Sequence, residues 1–285
     1  MHIISPKIQE SILCLDLSDS GVEKLNLIAK ANKEEYASGE PFKHIVIDGL
    51  FPDELLEDIL LETQELNHTI EKIFFGSTKK FATSNLQLMG PTTSRLLLDL
   101  NSSQFLSFLE TLTGVSSLIP DPHYEGGGVH ETISGGFLKI HTDFNWHKRL
   151  KLDRRVNILI YLNKDWHEEW GGFLELWDRS MLTKKHIKIS PLFNRTVIFS
   201  TTDFTYHGHP DPLQCPDQIS RKSLALYYYS AGRPPKEVKN KRRVGTEYVE
   251  RPGEKLQIPK SRYLLLKKMI PSRLIDLFRR IRNYR

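Results

Sequence analysis

Cysteine is almost missing from this chain. Cys14 and Cys215 are the only two among 285 residues, and nothing in their spacing suits a metal. A disulfide framework and a cysteine-based zinc site are thereby excluded as organising devices. Long apolar runs are missing as well: no stretch reaches the ~18 residues that a membrane-spanning helix needs. Ile12-Leu13-Cys14-Leu15 is closed off by Glu10 and Asp16, which leaves it too short for a secretory signal. The two shortages together give the expectation of a cytoplasmic protein. Gly126-Gly127-Gly128 lacks the Lys and Ser/Thr that would follow in a phosphate-binding loop, so a nucleotide site is not read there.

Charge of one sign is concentrated in one place. Residues 233 to 285 hold 17 Lys and Arg against 5 acidic residues, a net +12, so residues 1 to 232 carry −7 of the formal +5. The basic character therefore belongs to the tail. The remainder has enough apolar and aromatic residues, 39% and 10% of the chain, to bury a core. Three parts are expected: a helical lead-in over 1–41, one main domain over 42–232, and a basic linker with a C-terminal helix over 233–285.

In the lead-in, Ser20-Gly21-Val22-Glu23 has the form of a capping box, and Val22, Leu25, Ile28 and Ala29 follow at helical spacing. This helix is expected to pack outside the core. Phe42 to Ile47 suits a strand, Pro52-Asp53-Glu54 starts a helix facing inward through Leu55, Leu56 and Ile59, and Ser102 opens another that ends near Gly114. From Gly135 onward short strands are expected at 135–143, 155–163, 171–178, 184–190, 195–200, 204–209 and 222–230. Strands at such spacing, without helical pattern between them, indicate an antiparallel sandwich or barrel. Pro120 to Gly128 is expected to form a movable lip, with Tyr124 facing substrate.

His141 and Asp143 stand two apart on an expected strand, so both side chains leave one face. A third ligand from Tyr206-His207-Gly208-His209 completes a two-His, one-carboxylate set, which suits a divalent iron with open positions. His209 lies on the same strand face, so spacing alone does not separate the two; Pro210, which suggests that the strand is ending, favours His207 and leaves His209 open, as a ligand or as a substrate-facing group. Arg221 and Ser223 share a strand face, and a guanidinium fork beside a hydroxyl suits a carboxylate. Trp146, directly after the metal motif, is a candidate substrate platform. Asn157 and Tyr161 lie on one face of a neighbouring strand.

These motifs, with Arg155 to Asn163 and Gly171 to Trp177 in the same order, resemble the iron(II)- and 2-oxoglutarate-dependent oxygenases of the prolyl 4-hydroxylase-like superfamily over residues 42 to 231. The resemblance implies a mainly β fold with flanking α, a double-stranded β-helix of the jelly-roll or cupin-like kind buttressed by helices. It implies Fe(2+) on His141, Asp143 and His207, with 2-oxoglutarate held by Arg221 and Ser223 and touched by Asn157 and Tyr161. O2 would be the oxidant and ascorbate a reductant. The implied reaction hydroxylates an unactivated carbon of a peptidyl-prolyl or small-molecule substrate, releasing succinate and CO2. Arg221 stands where animal-type prolyl hydroxylases usually place Lys.

Two other readings start from the same residues. A zinc-dependent hydrolase or isomerase could use His141, Asp143 and His207 with one activated water, but would have no use for Arg221 and Ser223. A non-enzymatic adaptor would work through the tail, where Leu265, Leu266, Met269, Leu274, Leu277 and Phe278 recur at helical spacing among basic residues. Such a helix can pack on its own domain, touch a partner, or hold the protein peripherally at a membrane. No motif for reading nucleic acid is present.

Overall fold

The computed structural model describes residues 14–64, 66, 77–178, 186–237 and 242–254. The chain divides into two units, Met1–Pro252 and Gly253–Arg285, and the described helices and strands all belong to the first. The expected C-terminal helix over 263–281 lies outside the described residues. Among the described residues, no helix is long and apolar enough to cross a membrane.

Four helices are present among them: α1 (Asp19–Ser38), α2 (Asp53–Gln64), α3 (Pro91–Asp99) and α4 (Ser103–Thr113). Twelve strands accompany them. They are β1 (His44–Asp48), β2 (Ser77–Thr83), β3 (Ile119–Pro120), β4 (Gly128–Thr142), β5 (Trp146–His147) and β6 (Leu152–Tyr161), then β7 (Leu174–Trp177), β8 (His186–Ile189), β9 (Arg195–Ser200), β10 (Tyr206–His209), β11 (Ser220–Ser230) and β12 (Glu247–Tyr248).

The helix starts follow from capping chemistry. Ser102 accepts from the Phe105 amide and Gly114 closes α4 at φ +70°, a left-handed position that glycine fills without a Cβ clash. In α1 the cap is Ser18, two residues before the Ser20 expected. The Ser18 hydroxyl donates to Asp16 at 2.5 Å and accepts from the Gly21 amide, so the helix starts two residues earlier and Asp19 falls in the first turn. Nor does α1 stay outside: Leu25, Ala29 and Tyr36 join the main apolar cluster, and Tyr36 Oη lies 2.7 Å from Ser200 Oγ of β9.

The strands form one sheet in the order β1-β9-β6-β11-β4-β10-β7-β8, with β2 and β12 added to β4, β3 to β11 and β5 to β6. Alternation assigns its two faces. On β6, Val156, Ile158 and Ile160 turn to the helical layer, joining Leu55, Ile59, Phe105 and Phe108 in one cluster. Full burial of such a side chain stabilises by ~1.5–3 kcal/mol, against ~0–1 kcal/mol for an exposed ion pair such as Lys164 with Glu57. Apolar packing therefore holds the sheet's outer face rigid. The opposite face, carrying Asn157 and Leu159, lines a cavity to which eight of the twelve strands contribute. The sheet is thus curled on itself as a double-stranded β-helix.

Among the helices and strands, α3 and the strands β2, β3, β5 and β12 are additions to the sequence expectation. β4 also begins at Gly128, earlier than the 135 expected, because Gly135 at φ +75° continues the strand where Ser134-Gly135-Gly136 reads as a turn. The expected lip over 120–128 is tied down. The Asp121 carboxylate accepts from the amides of His123 and Glu125, at 2.8 and 2.7 Å.

Candidate active site

β4 and β10 pair so that His141 and His207 are direct cross-strand neighbours. Their rings lie 4.5 Å apart between centroids, and Asp143 follows just past the end of β4. Ligand atoms of the three residues all fall within 4.8 Å of one another, a set that can hold a metal ion. Each imidazole is oriented by its own backbone: His141 Nδ1 lies 2.8 Å from the Lys139 carbonyl and His207 Nδ1 lies 3.1 Å from that of Thr205. With Nδ1–H donating there, both Nε2 lone pairs point at Asp143, at 3.6 and 3.3 Å.

Burial, and then the neighbouring His207, hold the His141 pKa below its ordinary value. Burial alone would raise Asp143, but the Arg154 guanidinium and the two imidazoles outweigh it and keep the carboxyl well below the usual range. A neutral imidazole and an ionised carboxylate converging in a buried site are what a divalent cation requires, so the residues present fit the metal. Asp143 has further partners. Its Oδ2 accepts from Arg154 Nη2 at 2.9 Å and from Asn157 Nδ2 at 2.8 Å, while Arg154 Nε donates to Asn157 Oδ1 at 2.9 Å.

The metal set opens into a cavity of about 700 Å3 whose wall also carries Arg221, Ser223 and His209. Arg221 is fixed by donating from Nε to the Gly172 carbonyl at 2.7 Å and from Nη2 to Tyr161 Oη at 3.1 Å. Cross-strand pairing puts Lys80, Thr132 and Arg221 in one row over β2, β4 and β11, and Ser223 beside Tyr161 and His130. Partners directly opposite in a ladder share a face, so this end of the cavity is lined by donors. Leu159, Leu174 and Phe199 add apolar wall. His209 is buried on the same wall with Nδ1 lacking a hydrogen-bond partner, and burial followed by the fields of Arg221 and Lys80 holds its pKa well down.

Other expected residues lie elsewhere. Trp146 is not on the cavity wall; it pairs with Asp153, and the Arg242 guanidinium sits 3.6 Å over its ring. Tyr124 is turned into the main apolar cluster, where burial raises its pKa to about 12, and only its neighbours Glu125 and Gly126 reach the cavity. Asn157 does line the cavity, but its amide is engaged with Asp143 and Arg154. Tyr161 is joined to Arg221.

Two features were missed from sequence. One is Arg154. The other is the segment 242–251, read as linker, of which Val244, Gly245, Thr246 and Tyr248 line the cavity mouth. Arg243 anchors it. Its backbone N–H donates to Asn145 Oδ1 and its Nη2 to Thr142 Oγ1 and the Asp143 carbonyl, each at 2.7 Å. Tyr248 pairs with His141, its ring 5.6 Å away. No apolar periodicity marks this segment, so polar anchors are the only signal it offers.

Residues 127–229 match the family model described as the 2OG-Fe(II) oxygenase superfamily. Among solved structures, one similar fold is a prolyl hydroxylase in complex with a hypoxia inducible factor oxygen degradation domain peptide fragment, from Trichoplax adhaerens. It is 16% identical at a TM-score of 0.53, covering 74% of this chain and 93% of that one. Another is a prolyl 4-hydroxylase from Phytophthora capsici, 20% identical at a TM-score of 0.51, covering 79% of this chain and 69% of that one. At such identities the likeness is one of fold. No curated protein matches the sequence.

Proposed function

We propose, taking residues 127–229 as a 2OG-Fe(II) oxygenase domain, that this protein is an iron(II)- and 2-oxoglutarate-dependent dioxygenase. It hydroxylates an unactivated carbon of a peptidyl-prolyl or small-molecule substrate and releases succinate and CO2. The observation that carries the reading is the opening of the His141, Asp143 and His207 set into the same cavity as Arg221 and Ser223. In this reading the first three residues hold the iron, and Arg221, Ser223 and Tyr161 hold the far carboxylate of 2-oxoglutarate. When bound, iron and 2-oxoglutarate would together activate O2, the oxidant, for attack on a carbon–hydrogen bond.

The chain's own residues provide the rest. His141 stays neutral and Asp143 ionised, so neither has to release a proton before accepting the cation. Gly172 and Tyr161 pre-orient the Arg221 fork, which limits the ordering cost when a carboxylate arrives. Burial raises the Tyr161 hydroxyl pKa, keeping it a donor at neutral pH. Val244, Thr246 and Tyr248 face the mouth, where a substrate enters. A cytoplasmic setting, suggested by the two unpaired cysteines, belongs to the same proposal.

The test is oxygen- and 2-oxoglutarate-dependent succinate formation, screened over prolyl peptides and small molecules. Anaerobic addition of Fe(II) and 2-oxoglutarate should also give a weak visible absorption band that His141→Ala abolishes. Folded protein with neither the band nor succinate formation would refute the reading. Turnover surviving Arg221→Ala but not His141→Ala would favour a zinc hydrolase.

A further inference from the structure

Arg154 is the largest of the fully buried side chains, at 1% exposure. A guanidinium so placed is costly unless its donors are met. Its surroundings are specific: the Tyr227 ring lies 3.4 Å from the guanidinium carbon and the Phe144 ring 4.6 Å from it. The polar contacts already described run in one direction, to Asn157 and to Asp143 Oδ2.

The backbone is shaped to achieve this. Asn157, Leu159 and Tyr161 alternate on the inner face of β6, and strict alternation would bring Arg155 inward and turn Arg154 out. The pairing with β11 slips by one residue at this point, since Val156 faces Tyr228 while Arg154 faces Tyr229. The extra residue is Arg155, which turns outward to Ser230 and Glu237. A bulge of this kind re-aims the neighbouring side chain, and here it aims Arg154 at the metal set.

Two donors, Arg154 Nη2 and Asn157 Nδ2, occupy Asp143 Oδ2. A carboxylate oxygen has two lone pairs, so these two donors fill Oδ2 although His207 Nε2 lies 3.3 Å from it, whereas Oδ1, 3.6 Å from His141 Nε2, takes neither donor and is the freer atom. We propose that Arg154 and Asn157 are a positioning pair: they clamp Asp143 by Oδ2 and fix its plane, so that Oδ1 alone is presented to a divalent cation. The inference rests on the metal reading of His141, Asp143 and His207. Neither member touches the reacting atoms in this role.

The test uses Co(II) binding to the full chain, read by the visible spectrum and by equilibrium titration. Arg154→Lys keeps the charge while losing the fork, and Asn157→Leu leaves the charge untouched, so the Coulombic repulsion of the cation is unchanged in both. Each variant is expected to weaken Co(II) binding by about 10–100-fold, the usual effect of removing an outer hydrogen-bond partner of a ligand. Each should also change the intensity and position of the Co(II) bands, because the carboxylate can then turn. Native affinity and native spectrum in both variants would overturn the clamp. A variant that merely destabilised the barrel would melt earlier yet keep the Co(II) spectrum, which also overturns it. If Arg154→Lys does not fold, Asn157→Leu decides alone. His141→Ala separates the two levels: retention of Co(II) there defeats the metal reading, whereas its loss beside native clamp variants defeats only the clamp.

Discussion

Replacing Arg221 by Ala tests the co-substrate half of the site. In the protein its guanidinium is buried, with Nε on the Gly172 carbonyl and Nη2 on Tyr161 Oη. A 2-oxoglutarate carboxylate meeting the remaining donors would form a buried charge pair. Removing one partner of such a pair costs about 3–5 kcal/mol, and every ~1.4 kcal/mol is tenfold in affinity. The dissociation constant for 2-oxoglutarate should therefore rise by roughly two to three and a half powers of ten. Arg221→Lys keeps the charge but loses the fork, at about 1.5–3 kcal/mol for a charge-assisted bond, so roughly 10–100-fold is expected. Lys80, in the same row across the sheet, supplies residual attraction in both variants.

The assay is calorimetric titration of 2-oxoglutarate into protein loaded with Mn(II), in place of Fe(II) to prevent turnover. Loss of the bonds to Gly172 and Tyr161 also lowers stability by about 1 kcal/mol each, so titrations belong well below the melting temperature. Binding within threefold of native in both variants would refute the assignment of Arg221. Loss of Mn(II) binding in parallel would mean that the substitution had disturbed the barrel.

Three further outcomes follow from the geometry. A Cβ on Gly208 would lie 2.7 Å from the Leu138 carbonyl oxygen and 2.8 Å from that of Lys139; Gly208→Ala should push β10 off β4, separate His207 from His141 and weaken Mn(II) binding at least about tenfold, and unchanged Mn(II) titrations would refute this. His141 and His209 are held below their ordinary pKa chiefly by burial. The unfolded chain therefore binds more protons as pH falls below ~6.5, and stability present above that pH is lost toward the folded pKa values. Melting of metal-free protein between pH 8 and 5 should show the loss, and His209→Gln should flatten it; identical profiles would refute the attribution. Removing the Arg243 side-chain bonds to Thr142 and the Asp143 carbonyl, worth about 1–2 kcal/mol where partly exposed, should speed chymotryptic cleavage at Tyr248 about 5–30-fold in Arg243→Ala, and equal cleavage rates would show that the segment 242–251 is held otherwise.

How much was legible from sequence depended on whether strand alternation holds. Arg221 and Ser223 sit on a regular stretch of β11, where a period of two reports the face correctly, and His141 and His207 pair directly beside a register shift between β4 and β10; all four reach the cavity. The helices α2 and α4 were legible for the same kind of reason, since their apolar spacing and caps are local. Alternation says nothing of what lies opposite, and there the reading stopped. Asn157 was placed on the inner face, yet only the fold reveals that the nearest acceptor is Asp143 and not the end of the cavity holding Arg221. Trp146 follows the metal motif in sequence, but its two-residue strand β5 pairs with β6 at the barrel edge and the ring turns to Arg242.

Arg154 was lost to a different cause. Counting by twos from Asn157 gives Arg155, and the two arginines are alike in composition, charge and neighbours. What distinguishes them is one inserted residue in the β6–β11 ladder, a property of the pairing that neither strand carries alone. The same irregularity explains why a side chain that is expensive to bury is tolerated. The bulge places the guanidinium between two aromatic rings and against a carboxylate, so its charge is met on three sides. A buried arginine, an interrupted ladder and a saturated carboxylate oxygen coincide at one point, and the oxygen they leave free belongs to the residue that completes the metal set.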